Sequence, residues 1–284
     1  METDPLLPWL LANKLGLYAS SLLAGGLGLH AGLGVLERDG RQPAMRAAAW
    51  ASAAALFFAT ARLIIVNAQL GGGIGAAFDA SMMQWTWRSL GPPTVALLAG
   101  VVGVTIGWAV RNPLFAAVGA VALAASFALT GHSAALENPG LAPLAVGLHV
   151  LIAMFWIAAP FALWPRRELQ DAALVVRLKR FSTIAARIIP VLFMLGIWLA
   201  WLLAGGLTPL LSETYGQLLV AKLLAASIAL TLGAINKLCL TRAIMQENPT
   251  GRRLLKITLT VELGVFVVAL LLVGAATTAV GPHG

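Results

Sequence analysis

Two histidines, His132 and His149, stand at the facing ends of consecutive hydrophobic segments, in Thr130-Gly131-His132-Ser133-Ala134 and Gly147-Leu148-His149-Val150. Imidazole ligates transition metals through either ring nitrogen, so a pair on neighbouring helices is a site for a metal ion or a haem. Two further ionisable groups, Lys222 and Glu262, also lie inside stretches that are otherwise apolar. Charge is costly in hydrocarbon, so each of these four needs a partner, a water-filled cavity or a bound ion.

The depth of each group decides what it can do. His132 falls at the outer end of its segment, and His149 about eight residues into the next, roughly 12 Å below the surface at 1.5 Å per residue. A short loop, Ser133 to Gly140, makes the two segments antiparallel neighbours. Met154 is about 140° around the helix from His149, a poor partner for the same ion. Lys222 and Lys14 lie near outer helix ends, where a long side chain can snorkel to the interface. Glu262 falls near mid-membrane and is expected to be neutral or paired with a polar neighbour such as Asn236. Arg62 needs an acceptor, and no carboxylate shares its depth in the sequence. Met82 and Met83 offer soft thioether sulfur suited to Cu(I), or simply pack an interfacial helix. His30 reads as structural, and the single cysteine, Cys239, as a small apolar residue; one cysteine excludes both an intrachain disulfide and a Cys-rich zinc site.

The elements that carry these residues follow from composition. Of 284 residues 60% are hydrophobic and only 11% charged, where a soluble domain carries about a quarter. The mean hydropathy of +0.88 makes this an all-α, polytopic membrane helical bundle. Eight apolar segments are long enough to span: Pro8–Leu36, Ala47–Ala68, Thr94–Val110, Leu114–Thr130, Leu141–Trp164, Thr183–Ala204, Gln217–Leu238 and Leu254–Thr278. The net charge of +8 is not a nucleic-acid footprint, because the basic residues cluster in short loops. Of the nineteen Lys and Arg, all but Lys14, Arg62, Arg88 and Lys222 fall in the loops after segments one, three, five and seven or on their flanks. The positive-inside rule then places both termini outside the cytoplasm. Between segments three and four only Arg111-Asn112-Pro113 intervenes, a tight turn. The longest outer loop, Gln69 to Pro93, carries Phe78, Met82, Met83, Trp85 and Trp87 at a spacing that suits a short interfacial helix. No cleavable signal peptide is expected, since Met1 to Leu7 has two acidic residues and no basic one. The chain reads as one transmembrane domain, 1–284, with two four-helix halves, 1–135 and 136–284, in a faint parallel repeat.

Together these residues resemble the copper resistance protein D (CopD) family of bacterial inner-membrane proteins. Thr130-Gly131-His132-Ser133-Ala134 resembles its Gly-His-Ala element, and His149 to Ile157 its His-to-Trp helix, with Ala158-Ala159 where the family has Gly-Gly. Arg180-Phe181-Ser182 resembles its Arg-Phe-Ser start, and Thr214-Tyr215-Gly216 through Lys222 its Thr-Tyr-Gly-to-Lys helix, with Asn236 following. Glu262 resembles the Glu of its last helix. The resemblance is fuller in the second half. It implies copper homeostasis or resistance at the inner membrane, with periplasmic termini and a separate periplasmic copper-binding partner of the CopC type, since the chain begins at its first helix.

These readings give an expected function. The protein binds copper at its periplasmic side through His132 and His149 and passes or imports it. Met82, Met83 and His283 are secondary ligands, and Lys222, Glu262 and Asn236 shape a polar path or balance charge. It is not expected to be an enzyme, and no Gly-x-x-x-x-Gly-Lys-Ser/Thr segment is present. Two alternatives stay open. One is a membrane cytochrome with a bis-histidine b-type haem and hence redox activity. The other is an accessory protein that delivers copper for oxidase assembly.

Overall fold

The computed structural model describes residues 5–36, 41–131 and 139–280, with backbone alone at Arg41 and Ala279. His132 and His283 lie outside the described residues. Among the described residues there are helices and no strands. The long elements are α1 (Leu7–Gly32), α2 (Arg41–Leu70), α3 (Ala80–Ala109), α4 (Pro113–Ala128) and α5 (Ala142–Ile157). A single turn, α6 (Ala159–Ala162), leads to α7 (Asp171–Ala204); α8 (Leu207–Ser212) then leads to α9 (Thr214–Ile235). A π-helical stretch, Asn236–Leu240, joins α9 to α10 (Thr241–Met245), and α11 (Gly251–Ala275) ends in a second π stretch, Ala276–Val280.

Among the described residues six helical runs are long and apolar enough to cross a membrane: Gln42–Leu70, Ala80–Ala109, Ala142–Ala162, Asp171–Ala204, Thr214–Met245 and Gly251–Thr278. The two other expected spans, α1 and α4, differ for separate reasons. α4 has 16 residues, about 24 Å, short of the roughly 30 Å hydrocarbon core. α1 has 26 residues, but its glycines, serines, Asn13, Lys14 and His30 dilute its apolar character. α1 is the central helix, packed against α2, α3, α4, α5 and α11.

Small residues let the backbones approach. A Cβ at Gly26 of α1 would sit 2.1 Å from the Met154 carbonyl of α5, and one at Gly119 of α4 would sit 2.3 Å from the Val104 amide of α3. Such seams replace the hydrophobic drive that lipid removes from helix association. Polarity is correspondingly inverted. Leu144, Leu224, Ile228, Met194 and Val268 face outward, while Asn13, Ser21, His30, Asn67 and Glu262 are buried.

The helix starts correct two expectations. The interfacial helix is not separate: it is the first part of α3, which begins at Ala80 and runs through Pro92 and Pro93. Asp79 sets that start, accepting from the Ser81 amide at 2.8 Å and the Ser81 hydroxyl at 2.7 Å. Prolines are tolerated inside spanning helices because neighbours re-satisfy the freed backbone groups. α7 likewise begins at Asp171, so Arg177, Lys179 and Arg180 belong to a helix rather than a loop. These arginines tie one end of the bundle together. Arg177 Nη1 donates to the Ala162 carbonyl at 3.2 Å, and Arg180 to that of Gly34. Arg252 pairs with Asp171 and donates to the carbonyls of Arg166, at 2.9 Å, and Leu169. The expected tight turn is present, with Arg111 at φ 55° and Asn112 capping α4 through the Leu114 amide at 3.0 Å.

Candidate functional site

At the end of the bundle opposite the arginines, α1, α5, α7, α9 and α11 leave a cavity of about 360 Å³ between them. Its depth can be counted along the helices. Lys14 is seven residues from the start of α1, His149 seven from the start of α5, and Lys222 eight from the start of α9. All three therefore lie about 10–12 Å from the same end, and all three line the cavity. Below them Trp156, Phe193 and Phe266 form an aromatic floor, with Trp156 edge-on to Phe266 at 5.5 Å between ring centroids. Tyr18, Thr130, Tyr215 and Thr277 supply the other polar groups of the wall.

His149 occupies this space because α7 lacks a side chain opposite it. A Cβ at Gly196 would come within 3.2 Å of the imidazole Cε1. Nδ1 of His149 is buried and makes no hydrogen bond. The ring makes a backbone hydrogen bond at Leu192 of α7, and the residue lines the cavity. Lys222 is near enough to His149 for the two to interact electrostatically. Lys14 Nζ donates to the Thr277 carbonyl at 3.0 Å, and lies 6.0 Å from the centre of the Tyr18 ring. Both lysines thus turn into the bundle rather than to a lipid-facing interface.

Glu262 is buried one helical turn before Phe266, beneath the cavity floor. Asn236 Nδ2 donates to Glu262 Oε1 at 3.2 Å, and Asn236 Oδ1 accepts from Thr258 Oγ1 at 2.5 Å. The Thr241 hydroxyl donates to the Asn236 backbone carbonyl at 2.8 Å. Asn236 opens the π stretch after α9, a local geometry frequent at functional sites. The sequence-predicted Glu262 and Asn236 are therefore brought together, while Lys222 stands apart from them in the cavity.

Other sequence-predicted positions fall elsewhere. Met82 and Met83 sit half-buried in the first turn of α3 and do not line the cavity. Met154 is fully buried, its sulfur against Gly25 of α1. His30 is fully buried against Phe155 and Phe181, with ring centroids at 4.5 and 5.8 Å, and its Nε2 lies 2.8 Å from the Phe155 carbonyl. Among the described residues no group of three His, Cys, Asp or Glu side chains comes together as a metal site. Counting residues from the helix ends would have revealed the shared level of Lys14, His149 and Lys222. The openings at Gly196 and the roles of Tyr18 and Tyr215 leave no such signal.

Residues 175–276, from α7 to α11, match the family model described as copper resistance protein D (CopD), and that stretch is a CopD family domain. The match contains Tyr215, Lys222, Asn236 and Glu262; Lys14 and His149 precede it. Neither a curated protein nor a solved structure matches the chain.

Proposed function

With a CopD family domain in its second half as the premise, we propose that this is an inner-membrane copper-handling protein that takes copper from the periplasmic side and passes it inward. Both termini are periplasmic, and α1 and α4 complete a set of eight spans around the six most apolar runs. Support for this orientation comes from the arginine-rich end, which lies opposite the cavity and by the positive-inside rule is cytoplasmic. The cavity mouth then faces the periplasm, where a separate copper carrier of the CopC type can reach it.

The observation that carries this reading is His149, which lines the cavity and whose buried Nδ1 has no hydrogen-bond partner. Neutral imidazole suits either oxidation state of copper. His132 is the proposed second ligand, two residues after Thr130 of the cavity wall. Met82, Met83 and His283 are proposed as an outer relay and not as part of the inner site. The Glu262–Asn236–Thr258 network supplies polarity below the aromatic floor for the onward step.

Elemental analysis and an absorption spectrum of one purified sample test the proposal. Copper is expected in the unaltered protein and is expected to be lost in His149→Ala and in His132→Ala. Copper content unchanged in the double variant would end the proposal. A Soret band that disappears in His149→Ala would instead assign the histidine to haem.

A further inference from the structure

The cavity level is basic well beyond what a copper site requires. Arg62 lies eight residues from the end of α2, about 12 Å deep, level with Lys14, His149 and Lys222. It lines a smaller cavity that shares Tyr18, Phe127 and Thr130 with the main one. It is close enough to Lys14 and Tyr18 to interact with both electrostatically. Three cationic side chains and an imidazole thus encircle one level of the bundle. Among the described residues the acidic side chains are elsewhere. Asp79 caps the start of α3, Glu213 precedes α9 at its mouth-end start without a side-chain cap, Asp171 opens α7, Glu168 and Glu247 lie in connections, and Glu262 is beneath the floor.

Basic groups held in a low-dielectric bundle either shed their proton or take a counter-charge, and here no carboxylate of the described chain supplies one. The remaining wall is mainly aliphatic and aromatic, closed below by Trp156, Phe193 and Phe266. We infer that the cavity binds a small acidic amphiphile, a carboxylate or phosphate head on one apolar body. The head sits between Lys14 and Lys222, and the body lies on the aromatic floor. A volume of about 360 Å³ is at the lower end of ligand pockets, which favours a single-chain molecule over a complete two-chain lipid. The inference does not depend on copper: the head is held by the lysines, and His149 only borders it.

Calorimetric titration of the protein in phosphatidylcholine nanodiscs, with empty discs subtracted, tests it using chain-matched probes. Laurate is expected to saturate a single site. Dodecanol, which keeps the chain and loses the charge, is expected to bind about tenfold more weakly or worse, and dodecyltrimethylammonium and acetate not to register. Lys222→Gln and Lys14→Gln are each expected to weaken laurate about tenfold, with Lys222→Arg retaining it. Discs containing single-chain lysophosphatidylglycerol separate the sources: displacement of laurate assigns the head to a membrane phosphate, and no displacement to a free acid. Dodecanol binding as tightly as laurate, or no laurate site in the unaltered protein, overturns the inference whether or not the variants fold. Copper content measured on the same preparations keeps this outcome separate from the fate of His149.

Discussion

At the scale of single residues, the buried polar groups are those whose replacement should register. Asn67 is completely buried at the end of α2. Its amide donates to the carbonyls of Ala76, Ala77 and Asp79 at 3.0–3.2 Å, and its oxygen accepts from Thr86 at 3.0 Å. One side chain thereby ties the 71–79 connection to α3. Asn67→Ala leaves those groups unpaired and is expected to lower stability by about 1–3 kcal/mol, measurable by unfolding in detergent. Glu262 makes a different case. Glu262→Gln keeps a hydrogen-bonding group opposite Asn236 and is expected to fold normally, with copper passage altered if the charge takes part. Glu262→Leu strands the Asn236 amide, for a loss of about 1–3 kcal/mol. Full stability and full copper passage in Glu262→Leu would remove the network from the mechanism.

At the scale of elements, α1 is held against α5 by the absence of a side chain at Gly26. A Cβ there meets the Met154 carbonyl, a backbone atom that cannot rotate away. Gly26→Leu is expected to push α5 outward at about 1–3 kcal/mol. The same displacement carries His149, so copper retention should fall with stability; a variant that kept both would contradict the packing. The start of α3 gives a pH prediction. Hydrogen bonds from the Ser81 hydroxyl, the Ser81 amide and the Met82 amide hold the Asp79 carboxyl below its usual range. Its folded value is thus lower than its unfolded one, so the cap is fully present above the unfolded value and is lost as pH falls through the folded one. Helical protection of the first turn of α3, read by amide exchange, should weaken on acidification. In Asp79→Asn that dependence should disappear.

At the scale of the whole molecule, the two ends of the bundle differ in kind. One end is stitched by Arg177, Arg180 and Arg252 to backbone carbonyls and to Asp171. The other encloses the cavity. If the arginine end is cytoplasmic, tags on both termini are accessible in intact spheroplasts. A terminus reached only after lysis would invert the map and turn the cavity toward the cytoplasm, removing any direct route from a periplasmic carrier.

Much of this was determined by the sequence alone. Long apolar runs, with most basic residues in alternate connections or on their flanks, dictate helices in a bilayer, because lipid leaves backbone groups no other partner. The Arg111-Asn112-Pro113 turn was legible from its proline after a basic-polar pair, and the burial of Glu262 with its pairing to Asn236 because a strongly polar group at depth has few permissible neighbours. Where α3 and α7 begin was not legible, since a cap such as Asp79 and arginines that find carbonyls extend helices past their apolar limits. Nor was the cavity. Lys14, Arg62, His149 and Lys222 lie on four different helices, and only the rotation of each helix, set by contacts such as Gly26 on Met154 and Gly196 on His149, determines which side chains share the bundle interior. Spacing along one helix carries no record of its rotation against another; packing alone decided it.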